Sequence, residues 1–181
     1  IQTTPLQLCL MTAQIANGGY KIKPHIIYDK NINYENSKLK ISKQFINESL
    51  IEKPILQERE FQLYERLYKK AENINFVKDA MFGSTNEQYG TSYKSRYENL
   101  KYQFAGKTGT SQVRRITEAD RKLDLKQSQI EYKNRDHALY IAFAPYKDPR
   151  YSISVLIEHG GSGSKAAAPL ASKLIKKIID R

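Results

Sequence analysis

Apolar residues recur every three or four positions near both ends of the chain, and this spacing predicts a helix at each end. The first helix begins at Thr4-Pro5-Leu6-Gln7, which combines an N-cap residue, a proline at the first helical position and a capping-box glutamine. It ends at Asn17-Gly18-Gly19, where glycine suits a left-handed cap. The last helix is predicted from Ala166 to Ile179, and its expected apolar face consists of Leu170, Leu174, Ile175 and Ile178.

A third helical pattern lies in the middle of the chain. It begins at Glu58 and ends near Phe82-Gly83, and Asn73 and Asn75 are candidate breaks within it. Between the first two helices, Tyr20 to Asp29 predicts a strand or an extended arm. Residues 30 to 57 are rich in Asn and Lys and predict irregular structure.

Three strand patterns follow the middle helix, over Lys101 to Val113, His137 to Pro145 and Tyr151 to His159. In the third, Ile153, Val155 and Ile157 alternate with Ser152, Ser154 and Leu156. A short loop, Tyr146 to Arg150, joins the last two strands and predicts an antiparallel hairpin. A long charged loop, Arg114 to Asp136, joins the first strand to this hairpin.

The order of these elements predicts an α+β architecture, with helices on the faces of an antiparallel sheet. The 181 residues have room for one domain. No apolar run approaches the roughly 20 residues that span a bilayer. The chain opens on Ile1-Gln2-Thr3-Thr4-Pro5, with neither an initiator Met nor a signal-like core, and we expect it to be the middle of a longer chain.

The net charge is +11, from 30 Lys and Arg residues against 19 Asp and Glu residues. Such a surface attracts nucleic acid, anionic lipid or an acidic polymer, so a basic nucleic-acid-binding module is one alternative. The 13 tyrosines could stack on bases, but they are scattered over predicted helices, loops and strands. We therefore interpret the charge as a lysine-rich surface and expect no nucleic-acid partner. The single cysteine, Cys9, lies on a helical pattern and is expected to be a buried structural thiol.

Candidate chemistry is concentrated in Gly106-Lys107-Thr108-Gly109-Thr110-Ser111. On a strand, Lys107 and Gly109 share one face, and Thr108 and Thr110 share the other. An ammonium group and two hydroxyls favour a carboxylate ligand. Gly109 lets a ligand or another backbone approach closely, and a backbone N–H beside it can point at a developing oxyanion.

This motif is similar to one element of the set that marks penicillin-binding proteins and related β-lactamases, namely Lys-Thr-Gly. Further segments resemble the same family in the expected order along the chain. They are Thr4 to Leu8, Ile15 to Gly19, Val77 to Met81, Gly90 to Ser92, Asp136 to Pro145, Pro149 to Tyr151 and Glu158 to Ser164. The chain thus resembles the C-terminal part of the transpeptidase domain of a class B penicillin-binding protein of the elongation type, penicillin-binding protein 2.

The resemblance implies a peptidoglycan D,D-transpeptidase in which a serine attacks the D-Ala–D-Ala bond of a stem peptide and forms an acyl-enzyme. β-Lactams acylate the same serine, and no cofactor takes part. Lys107 would supply positive charge beside the serine of the second motif and the substrate carboxylate. Thr108 and Thr110 would bind that carboxylate, the Thr110 N–H would form half of the oxyanion hole, and Gly109 would let substrate lie against the strand.

The resemblance also implies partners and a location. The ligands would be peptidoglycan stem peptides and β-lactams, and the protein partners a membrane glycan polymerase and shape-determining scaffold proteins. The parent protein would be anchored in the bacterial inner membrane with its transpeptidase domain in the periplasm, whereas we expect the chain by itself to be soluble. A β-lactam sensor or a β-lactamase-like serine acyltransferase remains an alternative, because these proteins share Lys-Thr-Gly.

The chain departs from the family pattern at the nucleophile. Ser162-Gly163-Ser164-Lys165 has the Ser-x-x-Lys spacing, but it follows the last strand in a Gly-rich turn, and no Ser-x-Asn lies in the right place. We therefore expect the nucleophile, the general base and the second motif upstream, and the chain alone to be inactive. Two strands of the family's five-stranded sheet would also be missing. Tyr151 to His159 would then expose an unpaired edge through which the chain could dimerise.

Two histidines border the last two strands. His137 opens one strand and His159 closes the next, and we expect them at opposite ends of the hairpin. No acidic or cysteine residues with metal-ligand spacing stand beside them, so no metal site is expected. Packing roles are the simpler interpretation, and Glu158-His159 could also shape the rim of a cleft.

Overall fold

A computed structural model describes residues 2–24, 26, 65–114, 118 and 129–181. The predictions for residues 30–57, for the beginning of the middle helix and for most of the charged loop lie outside these residues. The helices are α1 (Pro5–Ala16), α2 (Ala71–Asn86) and α3 (Ala168–Ile179). The strands are β1 (Ala105–Ser111), β2 (His137–Ala144) and β3 (Tyr151–Ile157). Short 3₁₀ turns cover Tyr93–Ser95, Leu100–Tyr102 and Tyr132–Asn134.

The capping box predicted for α1 is confirmed. The Gln7 N–H donates to Thr4 Oγ1 at 3.2 Å, and the Thr4 N–H donates to Gln7 Oε1 at 2.8 Å. These two bonds satisfy donors that a helix start otherwise leaves free. Gly18 and Gly19 follow the helix with φ of +94° and +87°, conformations that glycine adopts without strain. Cys9 is half-buried rather than fully buried, and its Sγ lies 3.2 Å from Ser152 Oγ on β3.

Within the described residues, the middle helix starts later and ends later than predicted. α2 begins only at Ala71 and continues through Asn73 and Asn75 to Asn86. Residues 65–70 are not helical, and the first of them pair with the segment that follows α1. The Leu67 N–H donates to Gly19 O at 2.9 Å, and Glu65 O accepts from the Lys21 N–H at 2.8 Å. The strand predicted after Tyr20 is reduced, within the described residues, to an isolated bridge between Tyr20 and Arg66.

The three predicted strands form one antiparallel sheet in the order β1-β2-β3. The register places Lys107 opposite Ile141, Thr108 opposite Tyr140 and Gly109 opposite Leu139. Both hairpin strands end earlier than predicted, at Ala144 and Ile157. In the described part of the chain, β2 is the only strand that pairs with β3, so the outer edge of β3 is unpaired there.

Apolar layers cover both faces of the sheet, which confirms the α+β prediction. The layer against α3, called here the alanine core, consists of Phe104, Ala138, Tyr140, Ala142, Ala144, Val155, Ala167, Ala168, Ala171 and Ile175. Ile153 and Ile157 pack against it, as the alternation of β3 predicted. The other face carries a smaller cluster with α1 and α2, made of Ala16, Met81, Ala105 and Phe143.

The closing helix is preceded by a helical turn that begins earlier than predicted, and it buries only part of the predicted apolar face. A π-helical turn over Gly163–Ala167 precedes α3. Leu170 and Leu174 are 42% and 38% exposed, whereas Ala168, Ala171 and Ile175 are buried. Small side chains let the helix lie close to the sheet, so its alanines contact β2. Its two leucines, Leu170 and Leu174, remain exposed to solvent. Among the described helices, none has both the length and the apolar character to cross a membrane.

Candidate active site

The motif residues Lys107, Thr108, Gly109 and Thr110 lie together on β1, where the strand passes from the interior to the surface. Ala105 and Gly106 are buried, whereas Lys107 and Thr110 are exposed. The sheet thus anchors one end of the strand in two apolar layers and presents the other end to solvent.

A groove of about 500 Å³ runs beside this exposed half of the strand. All four motif residues line it, together with Ser111, and its floor is apolar. The other lining residues are Gln2, Thr3, Leu8, Leu139, Tyr140, Ile141 and Leu156. The Lys107 ammonium donates to Thr108 O at 2.9 Å, so a cation stands at the wall of the groove. Such a site suits an anionic ligand with an apolar body.

Three hydroxyls connect the helix α2 to the motif. Ser84 Oγ lies 3.1 Å from Thr91 Oγ1, and Thr91 Oγ1 lies 3.1 Å from Thr108 Oγ1. The sequence singled out Gly90-Thr91-Ser92 only as a turn or helix start and as a segment that resembles the family. The contact of Thr91 with Thr108 was missed because the two residues are far apart in sequence, although the Gly-Thr-Ser composition was a signal.

A second group of hydroxyls, called here the hydroxyl cluster, lies buried behind the strand. Tyr140 Oη is 3.0 Å from both Thr85 Oγ1 and Ser92 Oγ, and these two oxygens are 3.3 Å apart. Burial raises the pKa of the Tyr140 hydroxyl, and the hydrogen bonds from Ser92 and Thr85 oppose that shift. The cluster ties α2 and the following turn to β2, because each buried hydroxyl needs a partner.

Glycines let the backbones around the motif approach closely. A Cβ at Gly106 would lie 2.5 Å from Cζ of Tyr140, so only glycine fits beside the ring. A Cβ at Gly163 would lie 2.5 Å from the carbonyl oxygens of both Gly109 and Leu139. The π-helical turn therefore rests directly on the backbone of the motif strand.

The expectation that the two histidines lie at opposite ends of the hairpin is wrong. Their ring centroids are 4.8 Å apart, and the His159 N–H donates to His137 Nδ1 at 2.9 Å. The reason is geometric, since an antiparallel hairpin places the beginning of one strand beside the end of the next. In the described parts of the chain, no three His, Cys, Asp or Glu residues group as metal ligands would.

The Ser-x-x-Lys look-alike lies in a helical turn, not in a Gly-rich turn as expected. Ser162 is the N-cap of the π-helical segment, and its hydroxyl lies 3.0 Å from Ser164 Oγ. Neither Ser162 nor Lys165 lines the groove.

Comparison with known proteins identifies the family of this chain. Residues 1–176 match the family model of the penicillin binding protein transpeptidase domain. The chain is 30% identical to the peptidoglycan D,D-transpeptidase MrdA of Salmonella typhimurium over 178 residues, which are 98% of this chain and 25% of that protein. It is 29% identical to MrdA of Haemophilus influenzae over 183 residues, 98% of this chain and 24% of that protein. The chain thus spans about a quarter of the length of these relatives.

Solved structures give the same result. A penicillin-binding protein 2 (PBP2) from Helicobacter pylori, in complex with MreC, is similar with a TM-score of 0.62 and 29% identity over 98% of this chain and 25% of that one. PBP2 of Pseudomonas aeruginosa in complex with WCK 5153 is similar with a TM-score of 0.59 and 27% identity over 97% of this chain and 29% of that one. The chain therefore belongs to the penicillin binding protein transpeptidase domain family, and it is similar to proteins named MrdA and PBP2.

Proposed function

We propose that this chain is the C-terminal part of the single transpeptidase domain of a peptidoglycan D,D-transpeptidase, and that it supplies the binding half of the active site. The observation that carries the proposal is the Lys-Thr-Gly-Thr strand on the wall of an open groove, in a chain of the transpeptidase family. The substrate is the D-Ala–D-Ala end of a stem peptide, and β-lactams acylate the same enzyme.

The motif residues have binding and electrostatic roles. Lys107 faces the substrate carboxylate with its positive charge, and Thr108 and Thr110 donate hydrogen bonds to that carboxylate. The Thr110 N–H forms half of the oxyanion hole, which stabilises charge that develops only in the transition state. Support comes from exposure, because Lys107 and Thr110 are exposed where the groove opens.

The nucleophilic serine and its general base come from sequence that precedes this chain. The apolar floor of the groove offers a packing surface for the element that brings the serine to Lys107. By itself the chain is inactive toward stem peptides and β-lactams.

The whole protein acts at the outer face of the bacterial inner membrane, where a transpeptidase meets nascent glycan. Its partners are a membrane glycan polymerase and shape-determining scaffold proteins. The H. pylori relative in complex with MreC supports the scaffold partner.

The test is the intact mass after incubation with excess benzylpenicillin, on this chain and on a longer polypeptide that includes the upstream sequence. The expected result is a stoichiometric adduct on the longer protein and none on this chain. An adduct on this chain would show a reactive serine within it, with Ser162 the first candidate. Absence of an adduct on both would contradict the transpeptidase proposal.

The unpaired edge of β3 gives a second, physical test. If no upstream strand covers the edge, its free N–H and C=O groups can pair with a second copy of the chain. We expect light scattering to report dimers or larger species of the isolated chain at high concentration, and monomers once the upstream sequence is present. A monodisperse monomer of the isolated chain would contradict the edge-pairing proposal.

A further inference from the structure

The end of the hairpin holds two histidines in contact. The backbone N–H of His159 donates to His137 Nδ1 at 2.9 Å. The Nδ1 atom of the His159 ring lies 3.1 Å from Arg135 O. The Tyr132 ring lies beside His159 in a tilted arrangement, with ring centroids 5.1 Å apart. Both imidazoles are half-buried, so these contacts order the rings at the rim of the sheet.

The contact fixes the proton on His137. A ring nitrogen accepts a hydrogen bond only when it carries no proton. The Nδ1 atom of His137 is therefore unprotonated, and a neutral ring keeps its proton on Nε2. A metal at Nδ1 would have to displace the His159 N–H, and among the described residues no third ligand joins the pair.

The hydrogen bond from His159 to His137 stabilises a backbone conformation that residues other than glycine rarely adopt. His159 has φ of +54°, in the left-handed region that favours glycine. This conformation turns the chain back at the end of β3, so that the Gly161 N–H donates to Asp136 O at 2.8 Å. We call residues 158–163 the exit loop.

The exit loop ends on the motif strand. Gly163, its last residue, lies so close to the Gly109–Leu139 pair that a Cβ would be 2.5 Å from Gly109 O and 3.0 Å from Gly109 N. His137 itself is the cross-strand partner of Ser111, the residue after Thr110. The His137–His159 bond therefore joins the strand residue opposite Ser111 to the exit loop, which ends against Gly109.

From this geometry we infer that His137 is a positioning residue for the transpeptidase reaction. Through its unprotonated Nδ1 it holds His159 and the exit loop against Gly109, and so keeps the Gly109–Thr110 backbone aligned for the oxyanion and the substrate carboxylate. This role rests on the proposed function and adds a residue that does not touch substrate.

The experiment compares three variants of the full-length protein that contains this chain. Asparagine places its Oδ1 where the imidazole has Nδ1, so His137→Asn keeps an acceptor there. Glutamine places its acceptor one bond further out, and leucine has none, so His137→Gln and His137→Leu both remove it. The second-order rate constant for acylation is measured with a fluorescent penicillin.

We expect His137→Leu and His137→Gln to lower this rate constant on the order of tenfold, since small displacements of aligned groups slow reactions strongly. The rate constant of His137→Asn should stay within about threefold of wild type, because the acceptor is kept. Hydrogen exchange of peptides that cover the exit loop should be faster in the leucine and glutamine variants and unchanged in the asparagine variant.

Each outcome has a distinct meaning. If the wild-type protein is not acylated, the proposed function fails before His137 is tested. If wild type is acylated and all three variants match it, the inference is overturned. It is also overturned if the asparagine variant is as slow as the glutamine variant, because the acceptor at Nδ1 would then not matter. Should the leucine variant fail to fold, the asparagine and glutamine pair still decides.

Discussion

The alanine core and the groove lie on the same sheet, but the core is packed and buried whereas the groove is open to solvent. On the α3 side, Ala138, Ala142 and Ala168 are fully buried in one cluster that joins the helix to the strands. Beside the exposed half of β1, an apolar floor is left uncovered and the wall carries a cation and hydroxyls. The difference indicates that one side of the sheet supplies rigidity and the other supplies the surface for binding.

The hydroxyl cluster lies between the two regions. Tyr140 belongs to the alanine core by its ring, and its hydroxyl meets Thr85 and Ser92 behind the motif strand. A ring with an apolar body and a polar tip suits such a boundary. The Tyr140 side chain thus links the alanine core to the hydroxyl cluster behind the motif strand.

The largest expected effect lies in the alanine core. Ile175→Ala should lower the free energy of unfolding by about 3 kcal/mol, because it leaves a cavity at a residue that is 2% exposed. Leu174→Ala, its neighbour at 38% exposure, should change the free energy of unfolding by under about 0.5 kcal/mol. Urea unfolding of both variants is the measurement. Equal losses would contradict the assignment of the buried face of α3.

The next effect belongs to the groove and should leave stability alone. In the full-length protein, Lys107→Ala should slow acylation by benzylpenicillin on the order of a hundredfold, equivalent to about 2.7 kcal/mol of transition-state stabilisation. Lys94→Ala, which removes an exposed lysine outside the groove, is the matched control and should acylate normally. If the alanine at 107 also unfolded the protein, the division between the two regions would not hold.

A smaller effect tests the boundary. Tyr140→Phe removes the hydroxyl at the centre of the cluster, but Ser92 keeps its bond to Ser84 O at 3.0 Å, and Thr85 lies 3.4 Å from Met81 O. The free energy of unfolding should therefore fall by only about 1 kcal/mol. Thermal unfolding measures it. A loss as large as that of Ile175→Ala would mean that the cluster, not the apolar layer, is the main source of stability.

The smallest effect concerns a surface contact and has a defined pH dependence. Burial, together with the hydrogen bond to the Asp79 carboxylate at 2.6 Å, raises the pKa of Tyr146 to about 12. Because the raised pKa favours the neutral phenol in the fold, its contribution to stability is complete below the unfolded pKa of about 10 and is lost as the pH rises through about 12. Asp79→Asn should lower the pKa of Tyr146. Ultraviolet titration of phenolate, with Tyr146→Phe as the reference, detects the shift, and an unchanged titration would contradict it.

Much of the fold followed from local patterns. The capping box at Thr4, the hairpin between β2 and β3 and the alternation of β3 are set by neighbouring residues, and the structure confirms all three. The predicted helix at residues 65–70 was wrong because Glu65 and Leu67 pair with Lys21 and Gly19, a contact between distant segments. On α3, Ile175 was placed correctly, but Leu170 and Leu174 were wrongly assigned to the buried face. Hydrophobicity favours leucine there, whereas the close approach of helix and sheet favours alanine.

The sequence predicted which residues form the site, but not the tertiary contacts that hold them in place. The four motif residues were identified from their types and spacing, and their roles remain predictions. The contact of Thr91 with Thr108 depends on tertiary structure, which single-sequence patterns do not encode, and the His137–His159 bond was also missed. The strand pairing would have allowed the second to be found, since the predicted hairpin already places the two histidines at one end.

The close approach of Gly106 to Tyr140 constrains how this sequence can change over evolution. A side chain at position 106 collides with the aromatic ring, so such a substitution is tolerated only after the ring has become smaller. A smaller residue at position 140 leaves the hydroxyls of Thr85 and Ser92 without their shared partner. The two positions are therefore epistatic, and a lineage that loses the glycine must first have lost the tyrosine.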